Sequence, residues 1–184
     1  MREYIRYEKL SSEIKDAISI HYDQLKKNNN DIDFDDAVSD WFENNFDGWI
    51  LERFQKDSRG DLRKHYRLDV EVPIRVVETL IESSSEETPA IDFVGTIVNI
   101  SRGGLYFISV QPFEVSSIIR LVIDLSAIDS ELSSVEALAM VVRVDKSGEG
   151  YGIGVMFSSI YDENKKNLNI FILKNLSYYL YSEQ

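Results

Sequence analysis

Six β-prone stretches follow one another at about 68–79, 92–99, 104–110, 117–125, 135–145 and 151–157, with turn-like segments between them. The best defined corner in the series is Asn99-Ile100-Ser101-Arg102-Gly103-Gly104. Before it stand the strand formers Gly95-Thr96-Ile97-Val98, and after it Leu105-Tyr106-Phe107-Ile108-Ser109-Val110 is β-prone at nearly every position. Asn supplies an amide that can read a donor/acceptor edge and Ser supplies a hydroxyl. The two Gly allow positive φ and a close backbone approach. Such a corner either holds a ligand or simply turns the chain, since Asn, Ser and Gly are also the ordinary turn residues.

A second polar cluster stands just ahead of the first strand. Leu62-Arg63-Lys64-His65-Tyr66-Arg67 places two guanidinium groups four residues apart, before the alternating run Leu68-Asp69-Val70-Glu71-Val72. From Arg59 to Arg67 the four basic residues Arg59, Arg63, Lys64 and Arg67 face the single acid Asp61, a local balance of +3 in a chain whose net charge is −12. Phosphate binding accounts for a basic knot of this kind, because the planar fork of Arg matches phosphate oxygens and stacks on flat bases.

Taken together, these residues resemble a PilZ domain, the bacterial receptor module for cyclic di-GMP, over residues from about 59 to 160. The family's Arg-x-x-x-Arg is matched by Arg63 and Arg67, and its Asp/Asn-x-Ser-x-x-Gly by Asn99, Ser101 and Gly104. Gly152-Ile153-Gly154-Val155-Met156-Phe157 is similar to the Gly-Val-x-Phe strand near the end of such barrels. The resemblance implies an α+β fold: a six-stranded antiparallel β-barrel with an N-terminal helical region and a C-terminal helix. The expected division is 1–58, 59–160 and 161–184. It implies that Arg63 and Arg67 clamp phosphates and meet guanine, that Asn99 and Ser101 read a guanine edge or anchor the ribose-phosphate, and that Gly104 gives the backbone room. An apolar residue at Leu62, where other members carry Arg, implies one ligand molecule per site rather than a stacked pair. Lys64 and Arg102 adjoin motif positions and are candidates to assist.

The acidic balance argues against DNA, RNA or anionic membranes as partners, which repay a basic face through counterion release. It does not argue against a dianionic ligand. Charges beyond a Debye length of about 8 Å are screened, whereas a contacting Arg is not. Two charge-assisted hydrogen bonds of roughly 1.5–3 kcal/mol each supply two to four decades of affinity.

Ahead of the strands, residues up to about 30 carry Ile14, Ile18, His21 or Tyr22, and Leu25 at helical spacing, with Lys26 and Lys27 at the C-terminal end. A second helix is expected from about Asp35 to Phe54, with Gly48 as its weak point. Its aromatic stripe, Phe34, Val38, Trp41, Phe42, Trp49, Ile50 and Phe54, requires a covering surface, either the neighbouring helix or barrel or a partner protein. Lys56 to Asp61 reads as a hinge, where the resemblance implies that ligand binding orders the chain and reorients its neighbour. Ser83 to Pro89 reads as a solvated loop. Tyr161 to Tyr181 reads as a final helix with Leu168, Phe171, Ile172, Asn175, Leu176 and Tyr179 on one side, which either caps the barrel or forms a homodimer.

Other chemistries find little footing. The chain has no cysteine, and its histidines, His21 and His65, lie in different regions. Asp31 to Asp35 begins like a calcium loop, but Asp36 stands where Gly is needed and Phe42 where Glu is needed. The run from Gly148 to Gly154 leads into a strand, so it reads as a hairpin rather than a phosphate loop. With no apolar run long enough to cross a bilayer and no signal-like start, the expectation is a cytoplasmic receptor that is not an enzyme and needs no cofactor. The rival expectation is a PilZ-like interaction scaffold that works without nucleotide.

Overall fold

The computed structural model describes residues 5–28, 31–54, 64–80 and 93–181. Leu62, Arg63, the hinge up to Asp61 and the loop at Ser83 to Pro89 lie outside the described residues. The chain divides into two compact units: one gathers the described residues up to Tyr66 with those from Leu173 onward, and the other runs from Arg67 to Ile172.

The second unit is a closed antiparallel barrel of six strands. These are β1 (Leu68–Leu80), β2 (Phe93–Ser101), β3 (Gly104–Ser109), β4 (Ile118–Ile123), β5 (Val135–Ser147) and β6 (Gly150–Ile160). Around the barrel they stand in the order β1-β2-β3-β6-β5-β4, and β4 closes on β1. Closure leaves no free sheet edge. Alternation decides the interior: Val72, Ile74 and Val76 of β1 point inward, between exposed Glu71, Pro73 and Arg75. Ile97, Phe107, Leu121, Val141 and Ile153 fill the same core from the other strands. β5 and β6 meet in a hairpin whose ladder ends at Ser147 opposite Gly150. Gly148 takes φ 57° at the first central position of that two-residue turn, which the right-handed twist of the strands favours.

The first unit is helical. It holds a 3₁₀ turn at Tyr7–Lys9 and the helices α1 (Ser12–Asn28), α2 (Phe34–Asn44) and α3 (Phe46–Phe54). The helix expected from the first residues therefore begins only at Ser12. Leu10 is extended instead, and bridges Tyr181 in the same unit. The helix expected from Asp35 to Phe54 breaks at Asn45, and Gly48 lies inside α3. The Asp33 carboxylate accepts the Asp35 N–H at 3.1 Å and caps α2.

Of the aromatic stripe, Trp41, Phe42 and Ile50 are buried, while Phe34, Val38 and Trp49 are half-buried. The rings of Trp41, Phe42 and buried Phe46 form one cluster, with Trp41 edge-on to Phe42 at 5.0 Å and Phe42 tilted against Phe46 at 5.4 Å. Phe54 is the exception: it stays half exposed, with the Tyr179 ring at 4.4 Å. His21 of α1 and Asp40 of α2 meet at 2.7 Å and tie the first two helices together.

The final helix also departs from expectation. Helix α4 (Asp162–Asn175) stops at Leu176, and a single turn, α5 (Ser177–Leu180), follows. Leu168 to Leu173 are buried without interruption, so this part of α4 is covered all round rather than along one stripe, while Asp162 to Asn167 are exposed or half-buried. No helix among the described residues is long and apolar enough to cross a membrane.

Both tryptophans, Trp41 and Trp49, belong to the helical unit, so their fluorescence reports on it. Phe42→Ala, at a fully buried site, should cost this unit about 3–5 kcal/mol, seen as a lower denaturant midpoint in the tryptophan signal.

Candidate ligand-binding site

Strict alternation would send residues 97, 99 and 101 to one face of β2. A bulge breaks that rule. Against β3, Ile97 pairs with Phe107 and Asn99 already pairs with Tyr106; against β1, the register shifts between Asp69 and Val72. Ile97 and Ile100 are both fully buried, with Val98 exposed and Asn99 half-buried between them. One extra residue has thus turned Asn99 out of the inward series, the usual effect of a bulge on the side chain beside it.

The same pairing joins the two motifs. Leu68 stands opposite Ile100 and Asp69 opposite Asn99, so β1 begins beside the end of β2. Arg67, exposed and one residue before β1, is brought to the corner that carries Asn99, Ser101 and Gly104. Arg63 and Leu62 lie outside the described residues; Lys64 is exposed and belongs to the helical unit.

Ser101 is 7% exposed and fully engaged in the turn. Its hydroxyl donates to the Gly104 carbonyl at 3.1 Å and accepts the Gly103 N–H at 3.3 Å. The Gly103 carbonyl accepts the Phe157 N–H at 3.0 Å, which fastens the tip to β6, and Arg102 is half-buried beside it. Gly104 is required for a reason internal to the barrel. A Cβ there would collide with the Val155 carbonyl oxygen of β6, so β3 and β6 approach this closely only over glycine. Of the motif residues in the described part, Asn99 and Arg67 are therefore the ones available to a ligand, while Ser101 and Gly104 hold the corner in shape.

Continuing from Asn99 around the outside of the barrel, the row of paired residues is Tyr106, Gly154 and Arg143. The Tyr106 ring lies across Gly152, which leaves it no room for a side chain, and its hydroxyl donates to Asp145 Oδ2 at 3.5 Å. Arg143 is bonded to the same carboxylate, and that hydrogen bond together with the Asp145 charge raises the guanidinium further above its ordinary value. No sequence motif marks Tyr106, Arg143 or Asp145. Alternation with buried Leu105 and Phe107 marks Tyr106 as outward, but only the strand register makes it a neighbour of Asn99. Among the described residues, no group of three or more His, Asp or Glu side chains is gathered as for a metal.

Two substitutions separate the corner's structural roles. Ser101→Ala removes the turn bonds at a cost of about 1 kcal/mol. Gly104→Ala forces β3 from β6 and costs about 1–3 kcal/mol or more. Thermal melts followed by far-ultraviolet circular dichroism should rank Gly104→Ala as the more damaging; the reverse order would contradict the close approach described.

The sequence profile of the PilZ domain matches residues 61–174. No curated protein matches the chain. Among solved structures, Bacillus subtilis inhibitor of motility (MotI/DgrA) is 21% identical with a TM-score of 0.49, covering 65% of this chain and 54% of that one. The c-di-GMP-bound PilZ domain of YcgR from Escherichia coli is 8% identical with a TM-score of 0.49, covering 64% of this chain and 94% of that one. The MrkH–c-di-GMP complex of K. pneumonia is 15% identical with a TM-score of 0.49, covering 62% of this chain and 52% of that one. The chain thus matches about half the length of MotI and of MrkH. With the family profile spanning more than half of its 184 residues, the chain belongs to the PilZ domain family.

Proposed function

We propose that this chain is a cyclic di-GMP receptor whose ligand is held where β1 begins and β2 turns into β3. Arg63 and Arg67 grip the phosphates and face guanine, Asn99 reads a guanine edge, and Ser101 and Gly104 keep the corner in its binding shape. Leu62, Lys64 and Arg102 border the ligand. The observation that carries this reading is the β1–β2 register, which brings Arg67 and Asn99 to one end of one barrel although they stand 32 positions apart in sequence. Family membership supports the choice of ligand.

The Arg-x-x-x-Arg segment runs from one unit into the other: Lys64 to Tyr66 belong with the helices, and Arg67 opens the barrel unit. Ligand binding across this segment reorients the helical region and so presents it to a protein partner. The role is binding and signalling, not turnover.

Isothermal titration with cyclic di-GMP, using GTP and cyclic GMP as controls, tests the proposal. Selective binding of one ligand per chain is expected, following Leu62. Arg67→Ala should weaken binding by about 1.5–3 kcal/mol, roughly ten- to a hundredfold, with an unchanged far-ultraviolet spectrum, since Arg67 is exposed. Arg63→Ala should do the same. Undiminished affinity in either variant would refute the site, and no binding by the native chain would leave the scaffold reading.

A further inference from the structure

The middle of the Arg-x-x-x-Arg segment is fastened to a helix. His65 lies two residues from Arg63 and two from Arg67, and its Nδ1 is 2.7 Å from Asp47 Oδ2. A carboxylate only accepts, so Nδ1 carries the proton and donates. Asp47 sits in the first turn of α3 with its side chain 9% exposed, next to fully buried Phe46. The packing of the Trp41, Phe42 and Phe46 rings fixes that turn, so the carboxylate is a rigid anchor. The His65 side chain, by contrast, is 42% exposed. Packing covers little more than half of that ring, and the bond to Asp47 gives it a fixed point.

We infer that Asp47, acting through His65, is a positioning residue for Lys64 to Arg67 and sets the affinity for cyclic di-GMP by holding those residues in order before the ligand arrives. This rests on the receptor reading proposed above. A segment ordered in advance spares the ligand the entropy of ordering it, which otherwise subtracts from affinity. Neither Asp47 nor His65 belongs to the two motifs, and neither need touch the nucleotide.

The full chain is titrated with cyclic di-GMP as native protein, Asp47→Ala, His65→Ala, the double variant and Asp47→Asn. The expected result is that either alanine variant loses about tenfold in affinity and the double variant loses little more, because the bond between His65 and Asp47 is absent from all three. Asp47→Asn keeps an oxygen that can accept from Nδ1 and should stay near native affinity. That rescue is what a role confined to overall stability would not produce. Unchanged affinity in both alanine variants, or losses that add in full, would overturn the inference.

Hydrogen exchange without ligand supplies an independent arm. The amides of Lys64 to Arg67 should exchange faster in Asp47→Ala and in His65→Ala than in the native chain, and equal rates would overturn the inference by themselves. If the native chain bound no cyclic di-GMP, the receptor reading and the claim on affinity would fall together. The exchange rates would then still decide whether Asp47 orders the segment. His65→Ala alters a partly exposed side chain and keeps the test open should Asp47→Ala fail to fold.

Discussion

The candidate site depends first on the register of β1 against β2. With Leu68 opposite Ile100 and Asp69 opposite Asn99, the start of one strand and the end of the next share one end of the barrel. A slip of a single residue would turn every side chain of β1 to the other face, burying Glu71 and Arg75 and exposing Val72 and Ile74. The apolar interior therefore enforces the same register that brings Arg67 to the end of the barrel that carries Asn99. Core packing and site geometry are one constraint here, not two.

Within that frame, the bulge at Val98 and the glycine at 104 divide the labour of the corner. The bulge frees Asn99 from the inward series while Ile97 and Ile100 keep their places in the core. Gly104 lets β3 lie against the Val155 carbonyl, and the Ser101 hydroxyl closes the turn between the strands. A motif that reads as one ligand-binding signature thus contains residues of different kinds: one turned outward, two committed to the backbone around it.

The helical unit poses the complementary problem of a buried charge. Asp47 is buried next to Phe46, where an unpaired carboxylate would be costly, and His65 answers it from the segment that leads to the barrel. His21 and Asp40 repeat the pairing between α1 and α2. Both histidines of the chain therefore serve as polar ties in this unit, a use that the wide separation of the two residues in sequence does not disclose.

The strands and the hairpin at Gly148 could be read from residue order, because alternation and turn chemistry are local properties of the chain, whereas the two motifs were linked by family resemblance. Helix ends were less legible: the break at Asn45 rather than Gly48, and the stop at Leu176, reflect packing that local propensity does not encode. The order of strands around the barrel, the outward turn of Asn99, the nearness of Tyr106 and the bond from Asp47 to His65 belong to tertiary structure alone. They join residues far apart in sequence, and only closure of the barrel and packing of the helices decide which of those residues meet.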